Sequence, residues 1–178
     1  MKLEPRYKNI EIDGECSSQG LEDFMNAITD EKRRPGTVHM MLTHIDDPNI
    51  PHKGKAIHGT ICDQSPNRAV GVVRWLGNAM ETAVTFAHEV AHTYGMYHDN
   101  EEPKNGWRET CEDGNVYVMT PGNPLQKKLR STWSECSNKD FRQYWFNAKI
   151  AAHKNGFGYE FCLKGKKCDT LWYLCDEN

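Results

Sequence analysis

Two histidines four residues apart stand in the run His88-Glu89-Val90-Ala91-His92, and a third, His98, follows six residues later with Gly95 between them. On a helix, positions i and i+4 lie one turn apart on one face, so the first two imidazoles can reach a single metal ion. Two ligands do not complete a site. Gly95 can adopt a left-handed conformation at little cost, ending the helix and turning the chain so that His98 returns to the same ion. Three neutral imidazoles leave a fourth position for water, the open arrangement of a catalytic zinc and not the closed one of a structural zinc. Glu89, beside His88, is then placed to accept that water's proton as general base. A single helical histidine is usually an ordinary surface or core residue, and His-Glu-x-x-His alone recurs in unrelated sequences. Three histidines, a glutamate and a glycine at fixed offsets are a far rarer coincidence. His39, His44, His52, His58 and His153 share no ligand spacing and receive no metal role.

Such a site needs a rigid helix beneath it, and Asn78 to Tyr94 is the clearest helix in the sequence. Asn78 serves as N-cap with Glu81 three residues on, a capping-box pattern, and Gly95 is the stop. Met80, Val84, Ala87 and Ala91 recur at helical spacing as a core-facing stripe, with Thr85, His88 and His92 along a neighbouring one. Upstream, Tyr7 to Ile12 reads as a strand, Leu21 to Arg33 as a helix, and Val38 to Leu42, Ala56 to Ile61 and Ala69 to Trp75 as further strands. The fold class is therefore α/β, a mixed sheet with helices. After Gly95 the chain is loop-like to about Thr132. Ser137 to His153 then forms a last helix, capped by Ser137 and Asp140 and packed through Phe141, Tyr144, Trp145, Ala148 and Ala152.

The bulk properties leave room for this chemistry and exclude others. A chain of 178 residues suits one domain. A formal net charge of -3, with Lys and Arg scattered among nearly equal numbers of Asp and Glu, leaves no footprint for nucleic acid. No apolar run approaches a membrane span; a candidate such as Ala69 to Val73 is only a few residues long. Met1 to Asn9 is charged and carries Pro5, unlike a signal peptide. Yet there are seven cysteines, and four of them, Cys136, Cys162, Cys168 and Cys175, fall in the last 43 positions, which favours disulfides in an oxidising compartment over free buried thiols. A secreted monomer cut from a longer precursor reconciles these features.

With the whole pattern H-E-x-x-H-x-x-G-x-x-H in view, the sequence resembles the metzincin zinc peptidases. Asp99, directly after the third histidine, is similar to the mark of the adamalysin or reprolysin branch, which includes the ADAM proteases. Gly59-Thr60-Ile61-Cys62 and Ala69 to Val73 look like that branch's strands before the zinc helix, and Trp133 to Ser137 with Asp140-Phe141 looks like its approach to the last helix. The likeness covers about residues 20 to 163. It implies an α+β metzincin-like fold: a twisted mixed sheet, an active-site helix on the cleft floor, and an irregular lower subdomain with a Met-turn and a C-terminal helix. Residues 1–163 would be the catalytic domain, lacking an amino-terminal strand and helix, and 164–178 a Cys-containing tail that begins a further module.

The resemblance further implies one catalytic Zn2+ on His88, His92 and His98, a zinc-dependent endopeptidase acting on extended protein segments, and Met119 as the Met-turn beneath the imidazoles. Lys55, Ala56, Ile57, His58 and Gly59 would pair with substrate by strand addition, while Thr120 and Pro121 would line the pocket for the side chain after the cleaved bond. Asp99 would be a buried carboxylate bracing the fold, with an exposed Asp after the helix as the alternative. Disulfides would join Cys62 to Cys162, Cys111 to Cys136 and Cys168 to Cys175, leaving Cys16 unpaired or intermolecular. Ca2+ is not expected, because Gly36-Thr37 stands where the family often has an acidic residue. The competing functional reading is a secreted, toxin-like binding module that keeps a zinc scaffold without peptidase activity. A third reading is an intracellular zinc-binding protein, against which the cysteine-rich tail argues.

Overall fold

The structure, a computed structural model, describes residues 38–43, 53–62, 69–104, 106–111, 113–122 and 132–155, with side chains in the last segment as far as Ala148. The expected strand Tyr7 to Ile12, the helix Leu21 to Arg33, and Cys16, Cys162, Cys168 and Cys175 lie outside these residues.

Among the described residues, three strands form one mixed sheet: β1 (His39–Thr43), β2 (Gly54–Ala56) and β3 (Val70–Arg74), in the order β1-β3-β2. β1 runs parallel to β3, from His39 opposite Val70 to Thr43 opposite Arg74. β2 runs antiparallel, with Gly54 opposite Val73 and Ala56 opposite Gly71. The central strand is the most apolar, as a strand covered on both faces must be. Val70, Val72 and Val73 are wholly buried, each contributing about 1.5–3 kcal/mol relative to exposure.

Helix α1 (Ala79–Thr93) packs on β2 and β3. The Asn78 side chain accepts from the amides of Met80 and Glu81, so the expected N-cap is present. Glu81 does not complete a capping box in the anticipated way; its carboxylate takes the Lys53 ammonium from the start of β2. The core-facing stripe also differs from the sequence reading. Met80 is 64% exposed, whereas Thr82, Thr85, Glu89, Ala91 and Thr93 are buried. The threonines tolerate burial because each hydroxyl donates to a carbonyl of its own helix region: Thr82 to Asn78, Thr85 to Glu81 and Thr93 to Val90.

β2 ends at Ala56, where the expected strand Ala56 to Ile61 begins, and what draws the following residues away is the end of α1. The last carbonyls of a helix lack intrahelical donors. Here the amide of Gly59 donates to His92 O, and those of Thr60 and Ile61 donate to Thr93 O, so this segment leaves the sheet to cap the helix. Gly95 has φ +82°, and a Cβ there would lie 2.8 Å from Tyr144 Cβ, so both conformation and space demand glycine.

Beyond Gly95 the described residues are mostly turns until α2 (Glu135–Asn155), which begins two residues earlier than expected. Ser134 is its cap, accepting the Ser137 amide. Ser137 and Asp140, expected as caps, are buried in other roles. Phe141 packs on a small core of Ala91, Met96, Val118 and Met119, and Phe141, Tyr144 and Trp145 form a chain of ring contacts reaching Tyr94. A disulfide joins Cys111 to Cys136 at a Cα separation of 5.8 Å, tying the irregular region to α2. Cys62 is also disulfide-bonded.

Candidate active site

α1 presents His88 and His92 on one face, and the chain beyond Gly95 brings His98 back to them. His88 Nε2 lies 3.1 Å from His98 Nε2 and 3.1 Å from His92 Nε2. The opposite nitrogen of each ring has an acceptor: Val118 O at 2.7 Å from His88 Nδ1, Met96 O at 2.8 Å from His92 Nδ1, and Glu101 Oε1 at 2.9 Å from His98 Nδ1. These partners place the proton on Nδ1 in all three rings, leaving three Nε2 lone pairs aimed at one another. Such lone pairs repel unless a cation or a proton lies between them. Burial disfavours the proton: it drives His88 down to about 4 and, aided by the neighbouring His88, His92 down to about 3. Three partly buried imidazoles of fixed tautomer, their Nε2 atoms converging, fit a divalent transition-metal cation such as zinc.

Glu89 faces the same cleft and is only 5% exposed. Desolvation raises its pKa to about 8, while the Lys55 ammonium pulls in the other direction. Gly54 on β2 makes room for this carboxylate. A Cβ at Gly54 would sit 2.7 Å from Glu89 Cγ and Oε1.

The cleft measures about 520 Å3. Of the anticipated substrate-contacting residues, Lys55 and Ala56 on β2 and Thr120 and Pro121 just after Met119 line it together with Glu89 and the three histidines. Ile57, His58 and Gly59 do not. Ile57 N bonds Val70 O, Gly59 caps α1, and the His58 ring packs against Tyr97 at a centroid distance of 4.1 Å. Lys53, Gly54, Val84, Thr85, Val118 and Gly122 also line the cleft, and sequence reasoning named none of them for this purpose.

Met119 is completely buried beside Val118, whose carbonyl holds His88. Asp99 is 3% exposed, so of the two sequence alternatives the buried carboxylate is the one observed. It accepts from Thr120 Oγ1 at 3.1 Å and from the Ser134 hydroxyl, its amide donates to Met119 O, and its carbonyl accepts from Cys111 N. One residue therefore links the third histidine, the Met119 turn, the disulfide and the start of α2. The loop after His98 is gripped a second time. Arg108 donates from Nε to Asp140 Oδ1 at 2.7 Å and from Nη2 to Asp140 Oδ2 at 2.9 Å, and its Nη1 donates to the carbonyls of Glu101 and Glu109. A bidentate pair of this kind is the geometry that compensates best for burying two charges.

Comparison with known proteins agrees with the geometry. Residues 8–155 match the family model described as Reprolysin (M12B) family zinc metalloprotease. Among curated proteins, the chain is 36% identical over 107 residues to "Disintegrin and metalloproteinase domain-containing protein adm-2" of Caenorhabditis elegans, covering 58% of this chain and 10% of that protein. It is 31% identical over 116 residues to "A disintegrin and metalloproteinase with thrombospondin motifs 4" of Homo sapiens, covering 64% and 12%. The protein of the same name from Pongo abelii matches to the same extent. The chain spans about a tenth of the length of these relatives.

Proposed function

Because this chain belongs to the reprolysin (M12B) family of zinc metalloproteases, we propose that it is a zinc-dependent endopeptidase that hydrolyses peptide bonds in extended protein segments. His88, His92 and His98 would hold the zinc through Nε2, and Glu89 would be the general base. The observation that carries this reading is the convergence of three Nδ1-protonated imidazoles beside a buried carboxylate in one open cleft.

Zinc held by His88, His92 and His98 would supply Lewis acidity to the carbonyl and the water of the reaction. The remaining steps belong to the chain's own groups. β2, an edge strand of the described sheet and the one that lines the cleft, aligns an extended substrate by main-chain pairing, and Thr120 and Pro121 receive the side chain beyond the scissile bond. As the attacking water forms its bond to the carbonyl carbon, Glu89 takes up the proton. When the C–N bond breaks, Glu89 returns that proton to the leaving amine. Glu89 lines the same cleft as the three histidines and so is within reach of both steps. Asp99 and the Cys111–Cys136 disulfide hold the far wall. The disulfide also supports an extracellular, oxidising location.

The binding-module reading draws no support from the geometry, since a scaffold without turnover has no use for a buried carboxylate against the histidine cluster. The test is hydrolysis of a denatured protein substrate by the purified chain. We expect turnover abolished by a chelator and restored by one equivalent of zinc. Stoichiometric zinc without cleavage would favour the binding module, and no zinc uptake would remove both readings.

A further inference from the structure

His88 and His92 are oriented by neutral main-chain carbonyls, but His98 is oriented by a carboxylate, that of Glu101. The difference follows from where each ligand sits. The first two histidines project from α1 into packed surroundings, where Val118 O and Met96 O are already fixed. His98 lies on the irregular chain beyond Gly95, its side chain 28% exposed, and its imidazole needs an orienting partner supplied locally.

Glu101 supplies it from three residues away. Its Oε1 accepts from His98 Nδ1 at 2.9 Å, its Oε2 faces the His98 amide at 3.4 Å, and its own amide donates to His98 O at 3.1 Å, closing a small ring of contacts around one residue. Glu101 is itself held from behind. Arg108 Nη1 donates to Glu101 O at 2.9 Å and Arg108 Nη2 to His98 O at 3.3 Å, while the guanidinium is locked on the buried Asp140. The carboxylate thus stands on a braced turn and can fix the ring it touches.

We propose that Glu101 is the positioning residue of the third metal ligand: by accepting the Nδ1 proton it fixes the tautomer and angle of His98 and increases the electron donation of Nε2 to the metal. The inference rests on His88, His92 and His98 being the zinc site. Carboxylate–imidazole pairs of this kind typically change metal affinity by about 10- to 100-fold when broken.

The experiment compares zinc dissociation constants of the parent, Glu101→Ala and Glu101→Gln by competition with a chromophoric chelator. Cobalt(II) absorption of each protein and urea midpoints of the metal-free forms accompany it. Glu101→Ala should bind zinc about 10- to 100-fold more weakly and shift the cobalt visible bands, with the metal-free urea midpoint unchanged, because the carboxylate is half exposed. Glu101→Gln, which keeps an acceptor oxygen and loses the charge, should fall between the two. A parent that binds no zinc would sink the metal-site reading and this proposal with it. A parent that binds zinc, with Glu101→Ala equally tight and its cobalt spectrum unmoved, overturns this proposal alone. A Glu101→Ala urea midpoint that falls together with affinity makes the residue a structural one and also overturns it.

Discussion

Replacing Gly54 by alanine should separate catalysis from folding. An added Cβ would lie 2.7 Å from Glu89 Cγ and Oε1 and 2.9 Å from Cδ, about 0.8 Å inside the roughly 3.5 Å at which carbon atoms rest. β2 is a main-chain element held to β3 and cannot retreat easily, so the Glu89 side chain must swing away by nearly an ångström. A displacement of that size in a reacting group costs about 10²-fold in rate. Two opposing terms leave a net stability cost of about 0–2.5 kcal/mol, short of unfolding a typical domain. Crowding a buried carboxylate costs about 1–3 kcal/mol, whereas alanine gains about 0.5–1 kcal/mol over glycine in a strand. Zinc content should not change, since no Nε2 is touched. The assay is kcat and KM on a fluorogenic peptide for parent and Gly54→Ala, with zinc stoichiometry and urea midpoints measured on the same preparations. We expect kcat to fall about 10²-fold with KM near the parent value. Parent-like kcat in a zinc-loaded, folded variant would refute the reasoning, showing either that Glu89 tolerates the shift or that it is not the base.

Glu89→Gln should retain zinc and fold while losing about 10²- to 10⁴-fold in kcat, and equal chelator-sensitive rates in variant and parent would rule out Glu89 as base. His98→Ala should lose stoichiometric zinc, as read by equilibrium dialysis; unchanged affinity would leave only a two-histidine site. The metal-free chain should be most stable near pH 6.5 with respect to its three buried cleft groups. Below that pH the unfolded histidines protonate while folded His88 and His92 resist to about 4 and about 3, and above pH 4.5 unfolded Glu89 ionises while the folded carboxyl keeps its proton to about 8. Urea midpoints in chelator should therefore fall toward acid and also from pH 6.5 to 8, and a Glu89→Gln protein that kept the alkaline decline would contradict this assignment. Peptide mapping of unreduced protein should join Cys62 to Cys162, closing a loop of about 100 residues worth about 4–5 kcal/mol in the chain-entropy model, and any other Cys62 partner would refute that pairing.

The parts of the fold that sequence pattern made legible are those fixed by local physics. α1 announced itself through its period, its Asn78 cap and its Gly95 stop, and the spacing of its histidines follows from helix geometry alone. β3 was legible as an apolar run. What escaped depends on hydrogen bonds between distant residues. The turn after Ala56 looked like strand because its residues suit strands, yet the carbonyls of His92 and Thr93 claim their amides. The buried face of α1 was misplaced because hydropathy ranks threonine below methionine, and only backbone-satisfied hydroxyls reverse that order. The start of α2 depends on Ser134, which both caps the helix and donates to Asp99, 35 residues earlier in the chain. Gly54 gave no signal beyond its lack of a side chain. Glu101 gave a faint one, as a carboxylate three residues after a ligand.

The three amides that leave β2 to end on α1 also make the turn a ruler. A peptide laid along β2 is positioned by main-chain contacts that repeat every two residues, so its register must be set from somewhere else. Here the zero mark is the carbonyl of His92, bound by Gly59 only a few residues beyond Ala56. β2 is held at both ends, by its pairing from Gly54 opposite Val73 to Ala56 opposite Gly71 and by this cap on α1, so its place against the histidines is set twice over. On the proposed function, a residue added between Ala56 and Gly59 should bulge out of the turn and leave both β2 and the choice of peptide bond where they are.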